Sequence, residues 1–255
     1  MKFNNENRTQ IWSSGGGVQS SAIAALICMG ELPKPDLSVI INTERELSTT
    51  WLYLHNYVIP ALAKCGIELH IVNKSEFATV DLYSSKGDIL IPAFTTQGDG
   101  IGKLPTYCSN EWKQRVMRRW AIKQGVKSAE VWIGFTIDEM KRVTQPIGKW
   151  QNKYPLIEKR LTRGDCIAIV KRFGWPEPPR SSCYNCPNHS SHDWEWQKIN
   201  APIDHKKAIE FEKQIQKIDP DLWLTDTGRP LSEHDGSSKN GDFFTGRCTS
   251  GMCFV

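Results

Sequence analysis

Several absences bound the reading of this 255-residue chain. No apolar run approaches the roughly 20 residues that cross a bilayer, which excludes an integral helical membrane protein. The first seven residues, Met1-Lys2-Phe3-Asn4-Asn5-Glu6-Asn7, hold no apolar core of the kind a signal peptide needs. The expected location is therefore cytoplasmic, and residues 1–9 read as a flexible N-terminus. There is no internal repeat, which removes solenoids and propellers. Charge of one sign is scarce overall, with a net of +4, and 39% hydrophobic and 24% charged residues describe an ordinary globular chain. Between Ile11 and Met29 there is no lysine.

Glycine and cysteine are present in informative places. Ile11-Trp12-Ser13-Ser14 is a short β-type run that leads into Gly15-Gly16-Gly17, and Val18 to Met29 is apolar with good helix formers. A strand, a glycine loop and a helix start make a natural anion cradle. Glycine lets the backbone close around the anion, and the helix start offers unpaired N–H groups and a positive dipole end. Ser20 and Ser21 add hydroxyls. The missing lysine excludes a Walker A loop, which ends in Gly-Lys-Ser/Thr. Ser20 stands where a dinucleotide fingerprint needs its third glycine. The plain alternative is a structural βα turn.

Down the chain, Leu37–Asn42 and Ile67–Val72 read as strands, with a helix near 50–64 between them. Strand, helix, strand, helix, strand predicts a parallel sheet, with ligands beyond the C-terminal strand ends. That places Ser14–Ser20 and Asn42–Glu46 on one edge. A glycine-rich irregular segment, 84–108, delivers Cys108 to a helix near 110–124 that carries Lys113. A strand near 130–135, a short helix at 136–140, a loop over 144–157, and helices near 162–173 and 204–218 follow. Residues 10–143 are expected to form the α/β domain, with 144–255 a Cys-rich, basic region packing on it. From Met140 to Ser190 there are ten Lys/Arg against three Asp/Glu, a net of +7. Such a run suits an acidic substrate, nucleic acid among the candidates, or is simply a solvated surface.

Eight cysteines in a cytoplasmic chain point to ligands, catalysts or buried thiols before disulfides. Cys183-Tyr184-Asn185-Cys186-Pro187 is a C-x-x-C that brings two sulfurs to one metal. His189 and His192 follow, but four zinc ligands within ten residues are tighter than zinc-finger spacing, so both read as surface or supporting residues. Cys28, Cys65 and Cys166 sit in apolar helices and read as buried thiols. Cys248 and Cys253 lie near the end, as metal ligands, a redox pair or neither.

Taken in order, these stretches resemble the adenylyl-sulfate and phosphoadenylyl-sulfate (PAPS) reductase-like family of the adenine-nucleotide α-hydrolase, or PP-loop, superfamily. Its phage forms and the DNA phosphorothioation sulfurtransferases look nearest. Gly16-Gly17-Val18-Gln19-Ser20 resembles the pyrophosphate loop, and Asn42-Thr43-Glu44-Arg45-Glu46 the D-T-G-x-E segment. Cys108-Ser109-Asn110-Glu111-Trp112-Lys113, Trp132-Ile133-Gly134-Phe135 with Asp138-Glu139, Tyr154-Pro155-Leu156 and Cys183-x-x-Cys186-Pro187 complete the series. The resemblance implies a Rossmann-like sheet with helices on both faces and a Cys-bearing C-terminal extension. It implies ATP or adenylyl sulfate held by Ser14, Gly15, Gly16, Gly17, Gln19, Ser20, Asn42, Thr43, Glu46 and Gly134. It also implies a [4Fe–4S] cluster, with zinc as the alternative, on Cys108, Cys183 and Cys186. Lys113, Cys248 and Cys253 are the implied catalytic residues, and a thioredoxin-like protein an implied reductant.

The departures are specific. Gln19 replaces an acid, Asn42 an aspartate and Ser109 a second cysteine. One iron would then be open, or bound by Cys248 or Cys253. The activities implied are ATP-dependent sulfur transfer or reduction of (phospho)adenylyl sulfate. A zinc-stabilised nucleic-acid-binding module is the non-catalytic alternative, and it needs neither the glycine loop nor the parallel sheet.

Overall fold

The computed structural model describes residues 8–146 and 148–235. In chain order the first elements are β1 (Thr9–Ser14), α1 (Val18–Cys28), β2 (Leu37–Asn42), α2 (Ser48–Tyr53), α3 (Ile59–Lys64), β3 (Leu69–Asn73) and α4 (Lys74–Phe77). Then come β4 (Phe94–Thr95), β5 (Gly102–Lys103), α5 (Arg115–Lys123), β6 (Ala129–Trp132), β7 (Trp150–Lys153), α6 (Pro155–Glu158) and α7 (Arg163–Arg172). The last are α8 (Ser191–Asn200), α9 (Pro202–Gln216) and β8 (Leu222–Trp223).

Five strands form one sheet in the order β3-β2-β1-β6-β7, and every pairing is parallel. Alternation along the strands assigns the faces. Trp12, Ile40 and Trp132 point into a core with α1, α2, α3 and α7. Ile11, Val39, Ile41 and Val131 point into the opposite core with Val116, Met117 and Trp120 of α5. Helices therefore cover both faces, and the fold is Rossmann-like, as the sequence led one to expect. Helix α1 is apolar all round because it is enclosed: Ala22 to Ile27 are at most 3% exposed.

The layer does not stop at residue 143, because β7, α6 and α7 complete it. Strand β7 lies where the sequence reads as loop. Trp150-Gln151-Asn152-Lys153 has no apolar alternation, and as an edge strand it is only half-buried. Helix α2 runs into α3 through a π turn at Leu54–Val58. Pro60 explains the widening, since its ring cannot sit over the carbonyl four residues back.

A third core joins residues 89–93 and Trp112 to Trp194, Ala208, Phe211, Ile215, Leu222, Leu224 and Leu231. Here β5-β4-β8 form a small antiparallel sheet. Helix α8 was not anticipated, because its apolar residues do not recur at helical spacing. A capping box by Ser190 and Asp193 starts it. Several cations of the basic run of 140–190 are paired with acids in the fold. Lys153 pairs with Glu130 at 3.4 Å, Arg172 with Glu31 at 2.6 Å, and Arg180 with Asp193. No helix among the described residues is long and apolar enough to cross a membrane.

Buried Glu212 ties the last described stretch to α9. Its carboxylate accepts from the Leu224 N–H at 2.9 Å and the Leu231 N–H at 2.6 Å. Glu212→Ala leaves both amides without their acceptor and should cost about 3 kcal/mol. Urea unfolding monitored by tryptophan fluorescence tests this, and a loss below about 0.5 kcal/mol would show that the amides find water instead.

Candidate functional site

In a doubly wound sheet the crevice opens where neighbouring strands send their chains to opposite faces. Here that point lies between the C-terminal ends of β1 and β6. The chain leaves β1 at Ser14 and turns through Gly15-Gly16-Gly17 into α1. Gly16 has φ +74°, and a Cβ on it would lie 2.9 Å from Thr50 Cγ2. The loop is braced from within: Ser20 Oγ accepts from the Gly15 N–H at 2.8 Å and Ser14 Oγ from the Gly16 N–H at 3.3 Å. Gly17 is the N-cap of α1 and uses no side chain for it, so no side-chain cap satisfies the first-turn amides.

Gly134 sits directly against this turn. A Cβ there would be 3.4 Å from Gln19 Cβ and 3.5 Å from the Ser20 nitrogen. These are ordinary contact distances, so the β6 end packs on the start of α1 without requiring glycine there. Gln19 is held on both sides: its Nε2 donates to Glu139 at 3.1 Å, and Arg163 Nη1 donates to its Oε1 at 3.4 Å. Asn42 is likewise occupied, donating to Asn73 Oδ1 at 3.0 Å and accepting from the Glu44 N–H at 2.8 Å. Glu44 takes the glycine place of the D-T-G-x-E pattern and adopts φ 62°.

The Cys-x-x-Cys segment lies against the glycine loop. Ser181 Oγ donates to the Gly15 carbonyl. The Leu47 N–H donates to Ser182 O at 3.0 Å, and the Tyr184 N–H to Arg45 O at 2.7 Å. Between them Glu46 and Cys183 form an antiparallel bridge. Residues 181–184 thus run alongside the turn that follows β2. Cys183 Sγ lies 3.3 Å from the hydroxyl of fully buried Thr43. The Cys186 N–H closes the turn on Cys183 O at 3.1 Å.

Lys113 reaches this point from a π turn at Asn110–Gln114 and pairs with Glu46 Oε1 at 3.0 Å. Cys108, Cys183 and Cys186 are each half-buried. Burial pushes the Cys108 thiol up to about 12, and the Cys186 charge adds to it. Cys183 is pushed up by burial and then by Glu46, and Cys186 by burial. Burial alone would lower Lys113, but Glu46 and Cys183 outweigh it and raise it. The three thiols, Glu46 and Lys113 therefore share one electrostatic neighbourhood.

No three His, Cys, Asp or Glu side chains among the described residues stand as a formed ligand set for a metal. The donor chemistry nevertheless fits a cluster. Three soft thiols face one another's charge, and a bound metal would stabilise the thiolates that burial opposes. Around them Ser109 Oγ, both amide atoms of Asn185 and Glu46 Oε2 are buried without a protein partner, as expected where a polar group is to be received.

His189 supports this segment. Its Nε2 lies 2.8 Å from Ser182 Oγ and its ring 4.5 Å from that of Trp194. Burial, then Arg180, pulls it down to about 3. His192 is exposed. Cys166 is fully buried, and Cys28 and Cys65 are partly so. Cys248 and Cys253 lie outside the described residues. Sequence reasoning missed Ser181, Ser182, Asn185 and Arg163. Position beside a motif was the one available signal, for the two serines and for Asn185 inside the Cys-x-x-Cys.

No family model and no curated protein sequence matches this chain. Among solved structures it is similar to the U34-tRNA thiolase NcsA from Methanococcus maripaludis with its [4Fe–4S] cluster. That match has 12% identity and a TM-score of 0.46, over 84% of this chain and 67% of that one. It is also similar to the phosphoadenylyl-sulfate reductase from Candida auris in a phosphate complex, at 16% identity and a TM-score of 0.43, over 68% of this chain and 76% of that one.

Two glycine substitutions separate strain from contact. Gly16→Ala forces a left-handed alanine and a clash with Thr50, and should cost about 2 kcal/mol or more. Gly17 is extended, and a Cβ there meets Ser181 Cβ at an ordinary 3.4 Å, so Gly17→Ala should cost under about 1 kcal/mol. Equal losses in urea unfolding would show that the loop is not locked in the left-handed turn.

Proposed function

We propose that this chain is an adenine-nucleotide-using enzyme of sulfur chemistry, of the PAPS reductase-like PP-loop kind. The observation that carries the reading is the docking of the Cys-x-x-Cys segment on the glycine loop through Ser181 and Gly15. A phosphate-binding turn and a set of thiols have little reason to be neighbours in a binding module. They have a clear one where activation of a substrate by a nucleotide is followed by sulfur chemistry.

In this reading the first-turn amides of α1 and the hydroxyls near Gly15 hold the phosphates of ATP or adenylyl sulfate. The end of β2 at Asn42 faces the nucleoside, while fully buried Thr43 holds Cys183 from below. Gln19 stands where an acid is usual and carries no charge. Arg163, which donates to it, supplies a cation toward the phosphates, so charge compensation falls on the arginine. Cys108, Cys183 and Cys186 would hold the [4Fe–4S] cluster, which when bound supplies an iron able to carry sulfur or pass an electron. Lys113 holds Glu46, and through it the Cys183 bridge, in place beside the thiols. Cys248 and Cys253 are the proposed tail nucleophiles.

If the reaction is sulfur transfer, an oxygen of the acceptor attacks the α-phosphorus of ATP and pyrophosphate leaves. A sulfide-level sulfur nucleophile then attacks the activated carbon and AMP leaves, carrying the oxygen.

Anaerobic purification with iron, zinc and acid-labile sulfide analysis tests the cluster. The expected result is about four irons and four sulfides per chain, lost in Cys183→Ala while the far-UV circular dichroism is kept. One zinc and no sulfide, retained without iron on reconstitution, would sink the cluster and leave Cys183 and Cys186 as a structural clip.

A further inference from the structure

Beyond the glycine loop, the same sheet edge carries a second built site. At the ends of β2 and β3, a pocket of about 440 Å³ has Arg45, Lys74 and Tyr184 in its wall. Arg45 and Lys74 are a rigid cation pair. Their side chains are 14% and 4% exposed. The guanidinium carbon and the ammonium each lie 5.0 Å from the Trp112 ring centroid, so the indole fixes both.

What these cations hold is not buried. Arg45 grips the Asp81 carboxylate with both terminal nitrogens, at 2.9 and 3.0 Å, and Lys74 donates to the same carboxylate. Asp81 is 63% exposed and lies outside any helix or strand. The fork-on-fork geometry is how arginine recognises a carboxylate or phosphate. The receptor is thus set in the core, while its guest comes from a surface loop. The guest's acidity follows: the Arg45 hydrogen bond, then Lys74, holds the carboxyl down at about 2 against the opposing effect of burial.

We infer that the Arg45–Lys74 fork is an anion receptor for the acceptor substrate, and that Asp81 is a built-in surrogate displaced when a phosphoryl or carboxylate group of that substrate enters. The position supports this assignment. Tyr184 stands between Cys183 and Cys186 in sequence, and its N–H is bonded to Arg45 O. An anion on the fork would place the rest of its molecule beside the thiols, on the side away from the glycine loop. That the anion belongs to the acceptor rests on the function proposed above. The receptor itself stands on its own geometry.

The test is calorimetric titration of the full chain with inorganic phosphate and, separately, acetate. Asp81→Asn removes the surrogate's charge from an exposed position and leaves the cations in place. It should bind one or both anions about tenfold or more tighter than wild type, and adding Arg45→Gln should abolish that gain. Tighter phosphate than acetate identifies a phosphoryl group, and the reverse a carboxylate. Affinity unchanged in Asp81→Asn, or a gain that survives Arg45→Gln, would overturn the proposal and assign any binding to the glycine loop. ATP titration of the same proteins keeps the two readings apart. Loss of ATP binding in all of them would count against the nucleotide function and not against the fork.

Discussion

The buried ion pair of Lys113 with Glu46 is the interaction on which the site depends. Each partner comes from a different part of the chain. Glu46 follows β2 and is bridged to Cys183, while Lys113 lies five residues beyond Cys108. At 4% and 13% side-chain exposure, neither charge can be left alone at small cost. Their pairing holds the turn that bears Cys108 against the turn after β2 and, through the bridge, against the Cys-x-x-Cys segment. Without it the Cys108 turn and the Cys-x-x-Cys segment would be independent loops. A buried ion pair is seldom chosen for stability, since apolar packing serves as well. What it adds here is register, and a positive charge kept next to thiols that burial discourages from ionising.

A second constraint is the sheet order. With β1 between β2 and β6, the glycine turn, the segment after β2 and the segment after β6 share one edge. Ser181 then fastens the C-terminal half of the chain to the backbone of the glycine turn. The third core, built around Trp112, Trp194 and Phe211, acts as a platform that carries the Cys-x-x-Cys to that edge. The α8 and α9 hairpin is accordingly part of the site's support, although neither helix supplies one of its thiols.

Much of this was legible because it is written in local patterns. Runs such as Leu37–Asn42 and the enclosed α1 announce a parallel sheet, and a strand followed by three glycines and an apolar helix announces the crevice. What stayed hidden was non-local. Gln151 and Asn152 give no strand signal, because β7 takes its order from pairing with β6. Ser181 and Asn185 are unremarkable by type; the first takes its meaning from Gly15, far away in sequence, and the second from its burial. The ion pairs of the basic run of 140–190 are hidden for the same reason. Linear charge says nothing about Glu31, Glu130 and Asp193, which meet Arg172, Lys153 and Arg180 in the fold.

Two of the departures from the resembling motifs, Gln19 and Asn42, share an electrostatic pattern with Glu44, which stands at the glycine place of the second motif. Gln19 for an acid and Asn42 for an aspartate each remove a negative charge from the crevice edge. Both amides are then fastened by neighbours, Glu139 and Arg163 for the first, Asn73 and Glu44 for the second. Glu44 goes the other way. It places a carboxylate where glycine would suit the left-handed backbone, at a strain of about 1 kcal/mol, and turns it toward Ser75 and Lys74. On the pocket side of the edge, Glu44 lies 3.9 Å from Lys74, and Asp81 is held by both Arg45 and Lys74. In the reading proposed above, phosphates at a turn with fewer acids meet the arginine that holds Gln19. On the inference drawn above, a pocket whose cations already carry carboxylates admits only an anion that binds them better.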